Sequence, residues 1–454
     1  MTLIACVDVG STFTKGLLVD SAGTMLAAAD HRTTSETDVL IGLDVVVAAL
    51  ESAAGAAADE VRVSSSAGGG LRLAVVGHER AISAQAGFRV GLSAGSRVVH
   101  VAAGMLDSAG VSELKQSRPD IVLLVGGTDG GNEQVIRHNA AVLAKRGPRV
   151  PYVVAGNVEA RADVVTLLEE GGRTAMPADN VIPRIGVLDP GSAREAIRSL
   201  FVSHVIGGKG LSRGTRFASM VSGATPDIVM RAVELLADGT DSFPGVGDVM
   251  VVDVGGATSD VYSVVSPDPA AEHEETDDVV GQWHAARTVE GDLGMRWSAV
   301  GVVDAAELER LAFVDGDLDA TRVEAQRCHD DVGMVPLSDT DRAFDEWLAT
   351  TAVTVAARRH ARPVELPGGT RTTARDLRRV ALIIGSGGVL RHSSDTTRER
   401  VLAPLTTDVG GGWMLPGSVA RSAVDEYAVL AAAGLLAPDH PDAANSLMAA
   451  QLLA

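Results

Sequence analysis

The sequence predicts an α/β fold of two similar lobes facing each other across a cleft, with a doubly wound α/β unit inserted in the first lobe. Three observations carry this expectation. Short runs rich in Val, Ile and Leu alternate with helical segments along the chain. An acidic glycine turn, VDVGSTFTK at 7–15, returns as VDVGGATSD at 252–260. A third apolar run ends in glycines at 385–388, within LIIGSGGVLRH.

The elements follow in order. LIACVDVG and GLLVD read as strands, and VLIGLDVVVAALESAAGAAA (39–58) as a helix. LRLAVVG, SRVVHVAAG, PDIVLLVGG and VPYVVAGN are strand-like, and two helical segments are interleaved with them. One is NEQVIRHNAAVLAKRG, with Asn132 as N-cap and Gly147 as its stop; the other is EARADVVTLLEEGG. About 64–205 is therefore the doubly wound insertion. TPDIVMRAVELLADG (225–239) is a helix with a Thr-Pro start, running into the strand-turn-strand of the second copy. SPDPAAEHEETDD (266–278) is a charged loop, and helices follow to about Arg362. SAVDEYAVLAAAGLL (422–436) closes the chain as a helix before an Ala-rich tail. The expected divisions are 1–240 for the first lobe, 241–424 for the second, and 425–454 for a helix returning to the first.

A chain of 454 residues exceeds one ordinary core. A net charge of −20 argues against nucleic acid or an anionic membrane as partner. No secretory signal or membrane-length apolar run is visible, so the expected location is cytoplasmic. Two cysteines, Cys6 and Cys328, build no disulfide framework, and the eleven histidines show no metal-ligand spacing.

The chemistry lies in the repeated turn. Each copy has an Asp at a strand end, Asp8 or Asp253, then small residues that let backbone N–H groups approach an anion. The first turn is Gly10-Ser11-Thr12 with Thr14 and Lys15; the second is Gly255-Gly256-Ala257-Thr258 with Asp260. Hydroxyls add donors and Lys15 a point charge for phosphate. Two carboxylates suit a hydrated magnesium ion, which retains several waters. Gly385-Ser386-Gly387-Gly388 suits a flat group or a phosphate. GGTDGGN (126–132) is open between a second anion site and a plain turn capped by Asn132. EGDLGMR (290–296) is open between a cleft or partner role for Glu290, Asp292 or Arg296 and a turn before an Asp-capped helix.

The three glycine elements, in this order, resemble the sugar kinase, Hsp70 and actin superfamily of ATPases. Their matches are to its phosphate-1, phosphate-2 and adenosine patterns, and 225–239 and 424–436 would be its two connecting helices. The resemblance implies two actin-like, ribonuclease H-like lobes closing on ATP and Mg2+. Asp8, Asp253 and Asp260 would do the catalytic work, and Asp8 and Asp253 would hold the metal through water. The stretches SSSAGGGLRLAVVG, DIVLLVGGTDGGNEQVIRHNAAVLA, TVEGDLGMR and IIGSGGVLRHS further resemble the accessory, reactivating proteins of glutamate (methylaspartate) mutase. That family is related to the ATP-driven chaperones that eject damaged cobalamin from adenosylcobalamin-dependent dehydratases. The implied partners are subunits of a cobalamin-dependent mutase or aminomutase; the oligomeric state is open. No D-x-H-x-x-G cobalamin-ligand motif occurs here, so the cobalamin would belong to the partner. The alternatives are a small-molecule kinase of the same superfamily, and an activator ATPase of a 2-hydroxyacyl-CoA dehydratase.

Overall fold

The computed structural model describes residues 2–66, 71–78, 87, 90–91, 96–185, 187–201, 203, 211–212, 216–266, 284–363, 374–408 and 411–453. The chain opens with β1 (Leu3–Val9), β2 (Phe13–Asp20) and β3 (Met25–Arg32), then helix Val39–Ala54 and β4 (Glu60–Ser65). That helix stops at Ala54, before the Ala-rich end expected in it, because Gly55 takes the C-cap. β5 (Arg72–Gly77), β6 (Arg97–Ala103), β7 (Ile121–Leu124), β8 (Tyr152–Val154) and β9 (Ala175–Pro177) form a separate, wholly parallel sheet. β10 (Val221–Ala224) then rejoins the first sheet.

Helix Thr225–Asp238 leads to β11 (Val249–Val254), β12 (Ser259–Val264) and β13 (Ala285–Glu290). Helices Ala299–Leu308, Leu318–Asp330 and Asp339–Ala361 follow, then β14 (Leu382–Ser386), β15 (Arg421–Val424) and helices Val429–Leu436 and Pro441–Leu452. The expected loop at 266–278 lies, after Ser266, outside the described residues.

Two of the sheets share one design. The first runs β3-β2-β1-β4-β10 and the second β13-β12-β11-β14-β15. In each, the first three strands are antiparallel neighbours and the last two add in parallel. Two actin-like lobes are thus present. The inserted sheet runs β6-β5-β7-β8-β9, a doubly wound order. Its inner strands β7 and β8 are wholly buried because both their faces are covered. Leu73, Val75, Ile121 and Leu123 join the first lobe's core, while Ala74, Val76, Val122 and Leu124 face Ile136, Leu143 and Val164.

Strand alternation organises the space between the lobes. In β1, Ala5, Val7 and Val9 belong to the first lobe's core, and Ile4 and Cys6 to a second layer. In β11, Met250, Val252 and Val254 belong to the second lobe's core, and Val249 and Val251 to that same layer. This shared layer is filled by helices Thr225–Asp238 and Val429–Leu436, which pack on each other. The second of these helices is shorter than the sequence suggests. Residues 421–424 are strand β15 rather than helix, and the helix begins only at Val429, because Asp425 accepts the amides of Val429 (2.7 Å) and Leu430 (3.3 Å). It packs on β1, β2 and β4. Arg62 and Arg231 donate to its C-terminal carbonyls, at Leu435 and Gly434, each at 3.1 Å.

A buried polar knot secures the second lobe. His360 lies between Ser263 Oγ (2.6 Å) and Thr288 Oγ1 (3.0 Å), and Arg375 donates to the Ser263 hydroxyl and carbonyl. Burial first, and Arg375 second, hold His360 well below the usual histidine range. The folded ring therefore stays neutral where the unfolded one takes a proton, so stability falls as pH drops below about 6.5. We expect the unfolding free energy to fall by up to about 1.4 kcal/mol per pH unit from this group between about pH 6.5 and 5. His360→Gln should flatten that part of a denaturant-midpoint profile; an unchanged slope would refute the assignment.

Candidate functional site

The alternation that builds the two cores also builds the site. Asp8 shares the face of Ile4 and Cys6; Asp253 shares that of Val249 and Val251. Both carboxylates therefore belong to the layer between the lobes. Register places Lys15 beside Asp8 on β2 and Asp260 beside Asp253 on β12. On the other flank it places Ser64 of β4 beside Asp8 and Ser386 of β14 beside Asp253. Ser64 and Ser386 are thus counterparts, and so are Lys15 and Asp260.

Asp8 is oriented from behind. Its Oδ1 accepts from Ser64 Oγ at 2.9 Å and from Thr225 Oγ1 at 2.5 Å. Thr225 follows β10 directly; Asp425, which follows β15, is its counterpart in the second lobe. Asp425 is 2% exposed, and burial raises its affinity for a proton, opposed first by Arg391. Arg391 donates through Nε to the Asp425 carbonyl at 2.9 Å and through Nη2 to Ser386 Oγ at 3.2 Å. Lys15 is held below the ordinary lysine range, chiefly by burial and then by Arg391, against the pull of Asp8, Asp253 and Asp425. Asp260 is pushed up by burial, with Arg287 opposing. Arg287 bonds its Oδ1 at 2.6 and 3.1 Å, and Thr258 Oγ1 stands 3.4 Å from Oδ2.

The turns themselves are braced. Gly10 N donates to Phe13 O at 3.1 Å, and Gly255 N to Thr258 O at 2.9 Å. The carbonyls of Gly255 and Gly256 accept from the amides of Met295, Arg296 and Trp297, at 2.8–3.0 Å. This gives EGDLGMR a role in clamping the second turn. Its charged side chains pair with helix Asp339–Ala361: Glu290 and Asp292 with Arg359, and Arg296 with Asp345. The helix that follows begins at Ala299 after Ser298 and is not capped by Asp292.

Thr14 is not brought to the site. It lies on the opposite face of β2 among buried groups, 3.1 Å from the hydroxyl of Thr33, which donates to Gly10 O. Ser11 and Thr12 sit at the mouth, and a Cβ on Gly256 would lie 3.8 Å from Thr12 Oγ1, so the two turns meet face to face. Gly387 holds the third element there. Its φ is +114°, and a Cβ would stand 2.1 Å from Val254 O, so only glycine lets the 385–388 turn lie against the end of β11. The helix after it is short, Gly388–Arg391.

The loop 126–132 closes on itself. Asp129 accepts from the Val158 amide at 3.1 Å and from Asn180 Nδ2 at 2.8 Å, filling the N-terminus of helix Val158–Glu170 with the chain's own carboxylate. Asn132 Oδ1 accepts from Val135 N at 3.2 Å, although the helix starts at Gln134 with Glu133 as N-cap.

The MutL protein family model matches residues 4–452. Protein MutL of Clostridium tetanomorphum is 36% identical over 452 residues, covering 97% of each chain. The chain belongs to the MutL protein family. Among solved structures, it is similar to a ROK family glucokinase from Streptomyces griseus, with 13% identity, 98% of each chain covered and a TM-score of 0.33. It is similar also to the activator of the 2-hydroxyisocaproyl-CoA dehydratase from Clostridium difficile, with 8% identity, 98% and 97% covered, and a TM-score of 0.32. The fold assignment of this MutL family member rests on its matching strand orders, not on those distant likenesses. Among its described residues, no helix is long and apolar enough to cross a membrane.

Proposed function

We propose that this MutL family member is a slow, magnesium-dependent ATPase that reactivates an adenosylcobalamin-dependent mutase, glutamate (methylaspartate) mutase or a related aminomutase. The observation that carries the reading is the pair of opposed Asp-Gly hairpins, Asp8 to Lys15 and Asp253 to Asp260, set in register on two lobes of one design. The division proposed with it is 1–240, with its insertion at about 64–205, 241–424, and the returning segment 425–454.

In this reading Gly10, Ser11, Thr12 and Lys15 hold phosphate from one lobe, and Gly255, Gly256, Ala257 and Thr258 from the other. Gly385 to Gly388 lie against the adenosine. The donor set fits a hydrated cation: Asp8 spends Oδ1 on two hydroxyls and keeps Oδ2 for a water. Among the described residues, no three His, Cys, Asp or Glu side chains stand close enough together to cage a metal. Bound there, magnesium would neutralise phosphate charge, while Asp253 and Asp260 position water on the second-lobe side. Two nucleotide states with different affinity for the partner would drive release of damaged cobalamin, and the chaperone would work in the cytoplasm. The activator alternative calls for two cysteines per chain at a shared iron-sulfur cluster. Here Cys6 is buried in β1, its thiol pushed up to about 12, and Cys328 is buried in helix Leu318–Asp330.

The deciding experiment adds this protein, ATP, magnesium and fresh adenosylcobalamin to a cobalamin-inactivated glutamate mutase. Activity should return only with hydrolysable ATP. No recovery, or equal recovery without nucleotide, would remove the chaperone reading. Phosphorylation of a sugar or carboxylic acid in a substrate screen would favour a kinase instead.

A further inference from the structure

Behind Asp8, outside the cleft, lies a second ionic system. Thr225, the donor to Asp8, is the first residue of helix Thr225–Asp238, and Asp227 lies two residues further on, 2% exposed. Joined to this helix through side-chain ion pairs is Gly191–Leu200, which packs both on β8 of the inserted sheet and on β10 of the first lobe. Its Arg198 donates through Nε to Asp227 Oδ2 at 2.5 Å. Its Arg194 forks onto Glu234, at 3.2 and 3.3 Å. Asp227 Oδ1 is buried and accepts no hydrogen bond, although Arg194 Nη2 stands 4.0 Å away.

An unpaired buried carboxylate oxygen is costly, and a buried ion pair depends on close geometry. Arg194 therefore has two carboxylates within reach and engages one. A slide of about 1 Å of one helix against the other would bring its guanidinium into hydrogen-bond range of Asp227 and away from Glu234. Shifts of this size between packed helices are how such interfaces change state.

We propose that Arg194, exchanging between Glu234 and Asp227, is a two-position switch that couples the nucleotide cleft to the inserted α/β unit. Each end of the device is anchored. On the cleft side, a ligand that turns the Asp8 carboxylate acts on Thr225, in the same helical turn as Asp227. On the other side, Ala193 and Ile197 of the Arg194 helix share a core with Val153 and Ala155 of the inserted unit. Both ends thus bias one element, which is what a coupling free energy requires. The inference rests on the reading that the cleft binds ATP, and it names the inserted unit as the part whose set responds.

The test uses the full-length chain with two isosteric variants, Asp227→Asn and Glu234→Gln. Affinity for a fluorescent ATP analogue is measured, together with amide hydrogen exchange of 191–200 with and without the analogue. Each variant weakens a different position of Arg194, so the affinities should shift in opposite directions, each by roughly fivefold. The nucleotide-dependent change in exchange at 191–200 should shrink in both. Affinities moving in the same direction, or exchange responding as in wild type in both variants, overturn the switch. So does wild-type binding with no exchange change at 191–200. Failure of the wild type to bind the analogue sinks the cleft reading itself, and the coupling with it. Should Asp227→Asn not fold, Glu234→Gln decides alone: unchanged affinity with unchanged exchange refutes the proposal.

Discussion

Asp253→Ala should lower ATP turnover by roughly a hundredfold or more while leaving the fold intact. Asp253 lies one residue before the end of β11, next to the second glycine turn, and it is the one of the paired aspartates on the lobe that also carries Asp260. Its side chain is partly exposed and is not part of any hydrophobic core, so truncation leaves no apolar cavity. Asp8, by contrast, is tied to Ser64 and Thr225, and its removal would leave a buried and a half-buried hydroxyl without their acceptor. Asp253 is therefore the cleaner probe of the chemistry. The measurements are steady-state hydrolysis, binding of a non-hydrolysable analogue and a thermal melt. Retained turnover in a folded Asp253→Ala chain would remove the assignment.

Gly434→Ala should be strongly destabilising for a change of a single methyl group. On propensity alone, alanine in a helix gains up to about 1 kcal/mol over glycine. Position 434 reverses that sign. Here helix Val429–Leu436 meets helix Thr225–Asp238 closely enough that a Cβ would lie 1.9 Å from Ile228 O and 2.8 Å from Ile228 Cγ2. A backbone carbonyl has no rotamer by which to yield, so the two central helices must part. Overpacking of this kind costs about 3 kcal/mol, which exceeds the propensity gain. The Arg231 bond to the Gly434 carbonyl would be strained as well. The expected result is a melting midpoint lower by roughly 2 °C, together with weaker nucleotide binding, because the same helices fill the layer between the lobes. Unchanged or raised stability would show that the helix crossing adapts freely.

Much of the site was legible because its signals are local. An Asp at the end of an apolar run followed by small residues is a statement about four or five neighbours, and its repetition at 252–260 needs no tertiary knowledge. Family membership, through the stretches at 64–77, 120–144, 288–296 and 383–393, was visible in the same way. Element boundaries were less so. Residues 422–424 carry alanine and valine, which serve helix or strand alike, and what settled them was a place beside β14. The direction of Thr14 depended on strand parity: it shares a face with Leu18, while Lys15 shares one with Leu17 and Val19. Asp292 caps no helix because the helix after it starts only at Ala299, and its carboxylate pairs with Arg359.

By itself, then, the sequence determined the α/β class, the doubled acidic glycine turn, the glycine turn at 385–388 and the helix from Thr225, all of which follow from residues in direct succession. The tertiary structure alone decided which residues stand behind those turns. Ser64 comes to Asp8 from β4, which only the sheet order brings alongside β1, Thr225 comes from the helix start after β10, one strand further out, and the charges of Asp425 and Arg391 act on Lys15 from the second lobe. Arg194 finds its two carboxylates only because the last helix of the insertion folds back on the helix after β10. Such partners are far apart in the chain, and their meeting is set by sheet register and helix packing, which no short stretch of residues encodes.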